Sequence, residues 1–490
     1  MSRASEIACR AALAVASALA LSAAPAAAAP PAPAAPPPSA SAAPPAPAAP
    51  PPSAPAAPPA ATVRSALPAL PAVGVPPPDE VAAPPTVTAA PGPVSVEAQP
   101  SVAPPALPPP APPAPARAEA KAPAEPKHGG EPAHWYERIK IRGYSQLRYN
   151  RLLVSNDDYV NPQGDRTIGK ANGFSLRRAR FIVFGDVHKN VSVYLQTDAA
   201  NSVENLTHVV AMRDWYADLF LDDRKEARFR VGQSKVPYGF ENMQSSQNRL
   251  PIDRSDPINT GAPNERDIGA FFYWETAAVR ARFKRLVDSG LKGSGDYGII
   301  GLGVYNGQGT NLREKNDNLH VVARATYPFD LGSQIVEVGV GGYTGKYVVT
   351  KSEDVGGADE FRDARGHVAI TVYPQPIGFQ AEYNVGVGPE LDAARGVVRQ
   401  GRLHGGYAMV MAHIGPAFPY VRAQTYDGGK KHETDAVNYK VREVEAGVEW
   451  HFNPAVELVA AYVQGRRTAP KAPYDVESGR LLRLQLQFNY

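Results

Sequence analysis

The chain has 490 residues and a net charge of +3, and 37 of its 51 prolines precede Ala133, so composition divides it once. Its single cysteine, Cys9, lies in the first ten residues, which excludes the class of small exported domains stapled by disulfides. No apolar run after the first residues reaches the ~20 needed for a transmembrane helix, so a membrane reading requires a closed barrel.

Residues 1–29 read as a secretory signal. Arg3 and Arg10 supply the positive end, Ala11–Leu21 a short apolar core, and Ala24–Ala29 small residues suited to cleavage. Cys9 precedes that core and is not placed as a lipoprotein cysteine. Residues 30–132 repeat Ala and Pro and cannot bury a core. They read as a disordered or polyproline II arm in the periplasm. Fully extended at ~3.1 Å per residue, such an arm reaches about 300 Å. It is a spacer, or a tether that contacts peptidoglycan.

From residue 133 to Tyr490 the pattern becomes period two. In RIKIRGYSQLRYN (138–150), Ile139, Ile141 and Leu147 alternate with Lys140, Arg142 and Arg148. The same alternation returns in NVSVYLQTDA (190–199), EARFRVGQ (226–233), AVRARFKR (278–285), PYVRAQTY (419–426) and LLRLQLQFNY (481–490). Short connections such as 188–190, 221–226 and 451–456 alternate with long ones such as 151–172, 234–266 and 388–400. That asymmetry predicts an all-β, transmembrane antiparallel barrel of an outer membrane, with both chain ends on the short-turn side. An even strand number is then required. Splitting 266–285 in two gives a raw count of 17, and reading it as one bulged strand gives 16, with 18 as the alternative. Trp135 and Tyr136 before the first strand, and Phe488 and Tyr490 in the last, suit an aromatic girdle.

Three segments, FSLRRARFIVFGDV (174–187), RVGQSKVPYGFEN (230–242) and GLGVYNGQG (301–309), resemble the phosphate-selective porin O and P family. The most specific is the Gly-Gln-x-Lys-x-Pro-x-Gly-x-Glu run from Gly232 to Glu241. The resemblance spans about Trp135 to Tyr490 and omits the arm. It implies a 16-stranded homotrimeric porin in the outer membrane of a Gram-negative bacterium, with a constriction loop at about 234–266. It also implies that wall arginines pass small inorganic anions. Arg177 and Arg178 match the family's arginine pair. The family's loop lysine after a Ser-Ser pair has no counterpart here, because Ser245-Ser246 is followed by Gln247-Asn248-Arg249.

In a barrel the apolar face meets outer-membrane lipid and the polar face lines water. The expected anion path therefore comprises Lys140, Arg142, Arg148, Arg177, Arg178, Arg228, Arg230, Lys235, Arg249, Arg254, Arg280 and Arg282. Strict alternation allows only one of Arg177 and Arg178 to face inward, unless a bulge separates them. The arginines either guide anions or merely pair with inward acids such as Asp198, Glu382, Glu445 and Glu449. No cofactor and no metal is expected, since spacing such as His-Glu-x-x-His is absent. No nucleophile–base pair points to an enzyme. The cations alternate along strands instead of clustering with aromatics, which argues against nucleic acid. Passive diffusion of small anions, phosphate among them, is the leading expectation. The alternatives are a structural anchor that displays the arm and a channel for another solute such as a sugar acid.

Overall fold

A computed structural model of the chain describes residues 134–155, 165, 167–168, 173–203, 206–262, 266–469 and 475–490. The expected signal, 1–29, and arm, 30–132, lie outside the described residues.

Sixteen antiparallel strands close a barrel. They are β1 (Ile139–Ser155), β2 (Gly173–His188), β3 (Val191–Val203), β4 (Leu206–Phe220), β5 (Ala227–Lys235), β6 (Arg266–Trp274), β7 (Ile300–Tyr305), β8 (His320–Asp330), β9 (Ile335–Val348), β10 (Glu360–Val372), β11 (Ile377–Asp392), β12 (Val397–Ala412), β13 (Ala417–Gly429), β14 (Asn438–Asn453), β15 (Val456–Ala469) and β16 (Asp475–Asn489). Each pairs with its neighbours in sequence, and β1 pairs with β16 to remove the last edge. The seam is fixed by Gly143 and Tyr490, whose backbones exchange hydrogen bonds of 2.6 and 3.0 Å.

The alternation sorts as a membrane barrel requires. Ile141 is 66% exposed and Trp215 59%, while Gln146, Arg148 and Arg483 are buried at 1% or less. Apolar side chains thus face outward and polar ones fill the interior, the reverse of a soluble sheet. Several strands are longer than the 9–11 residues a span needs. β11 has 16 residues and β12 has 16, so the expected loop 388–400 shrinks to 393–396.

One sequence expectation fails. Residues 266–285 are not a single bulged strand. β6 ends at Trp274, and Ala277–Asp288 form a helix. The count stays at 16 because the short β7 supplies the next strand. The alternation of Val279, Ala281 and Phe283 suggested a strand, but Val279, Phe283 and Leu286 recur at i, i+4 and i+7 and are the buried face.

Candidate functional site

Two segments enter the lumen, one from each mouth. The first leaves β5 on the long-loop side and carries two short helices, α1 (Phe240–Met243) and α2 (Asp256–Gly261). Its residues are almost entirely buried. Gly239 turns into α1 with φ 75°, and a Cβ there would lie 2.7 Å from Glu382 Oε1, so only glycine fits. The Glu382 carboxylate accepts from the backbone N–H groups of Phe240 and Glu241 at 3.1 and 3.2 Å. Glu241 in turn pairs with Arg422 of β13 at 3.0 Å. The loop therefore crosses the barrel from β5 to β11 and β13.

Its return leg is held against β1, β2 and β16. Asp253 meets Arg483 at 2.6 Å, Arg148 at 3.0 Å and Arg177 at 3.6 Å. Asp165, from the β1–β2 loop, shares the first two, with Arg148 at 2.5 Å and Arg483 at 2.6 Å. Burial pushes both carboxyls up, but these guanidinium groups outweigh it and hold both below the usual carboxylate range. Beside this hub, Ser246 Oγ shares a 2.6 Å hydrogen bond with Tyr144, and Gln146 donates to the Ser246 carbonyl at 3.1 Å.

The second segment comes from the short-turn side, between β6 and β7. It contains α3 (Ala277–Asp288), whose N-terminus is capped by the Thr276 hydroxyl accepting from Val279 N–H. Val279, Phe283, Leu286 and Leu291 pack with Phe240 of the first segment and with Ile335 and Tyr373 of the wall. Gln244 donates to the Lys292 carbonyl at 2.6 Å, and Asn248 donates to the Gly293 carbonyl at 2.6 Å. The two insertions thus touch through both an apolar cluster and polar bonds. At the root of the second, Arg228 and Arg280 bridge Glu275 and Asp296. Desolvation and the neighbouring Asp296 push Glu275 up. The same arginines, against the effect of desolvation, hold Asp296 down.

Between the two insertions and the wall of β1–β6 lies a cavity of about 680 Å³. Its lining includes Arg142, Arg180, Tyr194, Arg230, Lys235, Arg266, Ser245, Gln247, Asn248 and the 288–297 stretch.

The expected anion-path residues divide sharply. Arg142 lines the cavity, lies over the Phe184 ring at 5.0 Å and forms no ion pair among the described residues. Lys140 is exposed near the short-turn end of β1. Arg178 is buried and donates to Gln146 at 2.8 Å. Both arginines of the 177–178 pair do turn inward. The β1–β2 register skips Arg177 between Leu176 and Arg178, which is the bulge that strict alternation lacked.

The remaining residues are committed to structure. Arg148 locks the first insertion. Arg228 bridges Glu275 and Asp296, and Arg230 forms a two-bond fork with Asp218 at 2.8 Å each. Lys235 donates to the carbonyls of Asn242, Met243 and Gln244, closing the end of α1. Arg254 ties Asn242 to Asn259 at 2.7 Å each. Arg280 and Arg282 are not wall rungs, because they lie on α3. Arg280 binds the turn before β5 through the Arg224 carbonyl, and Arg282 donates to Pro328 O. Arg249 is 4% exposed, with its Nε and Nη1 unpartnered among the described residues, and stays off the cavity wall.

Sequence reasoning overlooked Arg180 and Arg266 on the cavity wall, and Arg483 in the hub. Arg180 and Arg483 sit on the inward phase of their strands and were legible by alternation alone.

No curated protein matches the chain by sequence. Among solved structures, it is similar to the outer-membrane channel DcaP of Acinetobacter baumannii, at 14% identity over 72% of this chain and 97% of that one, with a TM-score of 0.46. Salmonella typhi OmpF in complex with daunomycin aligns at 12% identity, covering 72% and 97%, with a TM-score of 0.48. Pseudomonas putida OprB aligns at 7%, covering 72% and 94%, with a TM-score of 0.47. The assignment rests on none of these likenesses. It rests on the family model described as phosphate-selective porin O and P, which matches residues 151–490. That match covers more than half of the chain, and it covers fifteen of the sixteen strands whole, so the protein belongs to the phosphate-selective porin O and P family of outer-membrane porins.

Proposed function

We propose that this porin passes small anions by passive diffusion, with phosphate among them. The observation that carries this reading is Arg142. It projects into the cavity between the two insertions and has no carboxylate partner among the described residues. Ser245, Gln247 and Asn248 surround the same space and offer hydroxyl and amide donors. A tetrahedral oxyanion accepts from several such donors at once, and a guanidinium can bind two of its oxygens. The neighbouring cations are largely neutralised, Arg180 by Asp198 at 3.1 Å and Arg266 by Asp214 at 2.9 Å. A weak, spread-out field suits transport, since a tightly held ion does not leave.

The reversal potential of purified protein in a planar bilayer, under a salt gradient, tests this. Anion selectivity is expected, and phosphate should reduce the chloride current. One unit charge at ~4 Å in a water-like medium contributes about 1 kcal/mol to the anion and opposes the cation, so Arg142→Gln should lower the anion/cation permeability ratio about five-fold or more. A cation-selective wild type, or no change in Arg142→Gln, refutes the reading.

The family resemblance also supports a homotrimer. The leader composition supports export through a cleaved signal peptide, residues 1–29. Residues 30–132 then form a periplasmic spacer with the reach to contact peptidoglycan. Outer-membrane lipid meets the exposed band of Ile141, Phe181, Trp215, Phe229 and Val340.

A further inference from the structure

Lys292 is the tip of the second insertion, and its ammonium rests on the Glu449 Oε1 of β14. The same oxygen lies 2.5 Å from His451 Nε2. Glu457 of β15 stands directly across the strand pair from His451. Glu449 and His451 are two apart on one strand and so share its face. One ligand atom from each of the three side chains lies within 4.8 Å of the others. Glu457 is oriented by Asn489, which donates to it at 2.8 Å, and by Gln487 at 3.1 Å. The Phe418 ring flanks both Lys292, at 4.7 Å, and His451, at 5.3 Å. His451 and Glu457 also line the cavity, so an ion and its waters have a way in.

We propose that Glu449, His451 and Glu457 form a divalent-metal site at the short-turn mouth, where a bound metal displaces Lys292 and unlatches the second insertion. One imidazole and two carboxylates suit Zn²⁺ and similar first-row ions, with water completing the shell. The structure already places a cation here, as the Lys292 ammonium. A divalent ion brings twice the charge to the same carboxylate and repels the ammonium. Lys292 then loses its partner, while the bonds from Gln244 and Asn248 to the backbone at Lys292 and Gly293 remain. The insertion loosens without leaving. No pattern along one strand shows this site, because its third ligand comes from the neighbouring strand.

Isothermal titration of the detergent-solubilised full chain with ZnCl₂ tests the site. One Zn²⁺ per chain is expected. Glu449→Gln and His451→Ala should weaken binding about tenfold or more. Lys292→Met removes the competitor and should bind Zn²⁺ more tightly than wild type. Circular dichroism of each variant separates loss of the site from loss of the fold. In bilayers, Zn²⁺ should raise the single-channel conductance of wild type and leave His451→Ala unchanged. Equal affinity of wild type and His451→Ala overturns the site. Weaker binding by Lys292→Met, or a conductance indifferent to Zn²⁺, overturns the displacement. None of these readouts depends on anion preference, so a cation-selective channel would leave the proposal standing.

Discussion

Asp253→Asn is expected to destabilise the barrel by about 3–5 kcal/mol, because it removes one partner from a buried charge cluster and leaves the others uncompensated. Asp253 is 2% exposed and faces Arg148, Arg483 and Arg177. Asp165 alone cannot neutralise Arg148 and Arg483, and Arg177 loses its carboxylate. The loss should appear as a lower urea midpoint for unfolding from lipid vesicles. It should also appear as a larger and noisier single-channel current, since the return leg of the first insertion is no longer pinned to β1 and β16. A variant with wild-type midpoint and wild-type current would show that the hub anchors nothing.

The same hub sets an acid limit. The Asp253 carboxyl is held below its unfolded value, so its contribution is complete above about pH 4 and is lost as pH falls through the folded value. Conductance should therefore stay level from neutral pH down to about 4 and rise below it. Asp253→Asn should already be loosened at neutral pH, with a smaller further change in acid.

The barrel was legible because period two is a local signal that survives in most strands, whichever face is buried. What alternation could not supply was the partner of each inward charge. Arg148 and Arg142 are both even-face cations of one strand, yet Arg148 is locked by two acids and Arg142 is not. Asp253 carries no mark in the sequence that sets it apart from the other acids of its loop, and it is the residue that fixes the loop to Arg148 and Arg483. Such differences arise where distant segments meet inside the lumen, and sequence spacing does not encode them. The helix α3 was a different failure. Val279, Ala281 and Phe283 satisfied period two over too short a window. The neglected signals were the capping Thr276, and Gly290 just past the end with φ 67°. These are local helix boundaries and were readable. The Arg177–Arg178 pair shows the opposite case, a departure from alternation that a bulge resolves.

Removing the second insertion should open the channel more than any point change. The register pairs Trp274 with Ile300, so an Asn-Gly turn can replace residues 275–299 and keep the β6–β7 hairpin. The replaced segment forms the floor of the 680 Å³ cavity and buries Phe283, Leu286 and Leu291 against Phe240, Ile335 and Tyr373. Its loss widens the short-turn mouth and should raise conductance about two-fold or more, if that mouth limits flow. Charge moves with it. The segment carries five cations, Arg280, Arg282, Lys284, Arg285 and Lys292, against three acids, Glu275, Asp288 and Asp296, but only Asp288, Asp296 and Lys292 line the cavity, and Arg228 loses the Asp296 and Glu275 carboxylates while keeping Asp218 at 3.7 Å. The cavity lining thus loses two acids and one cation, so anion preference there should hold while conductance rises. A gentler variant, Leu286→Ala with Leu291→Ala, keeps the chain length and removes two apolar anchors at about 2–5 kcal/mol each. It should shift conductance in the same direction, by less, and with flicker between levels. If both variants conduct like wild type, the first insertion alone limits flow. If the replacement loses anion preference and the double-alanine variant, which keeps Lys292, does not, the cations of the second insertion contribute more to the field than Arg142, and the positive charge that matters lies at the floor and not on the wall.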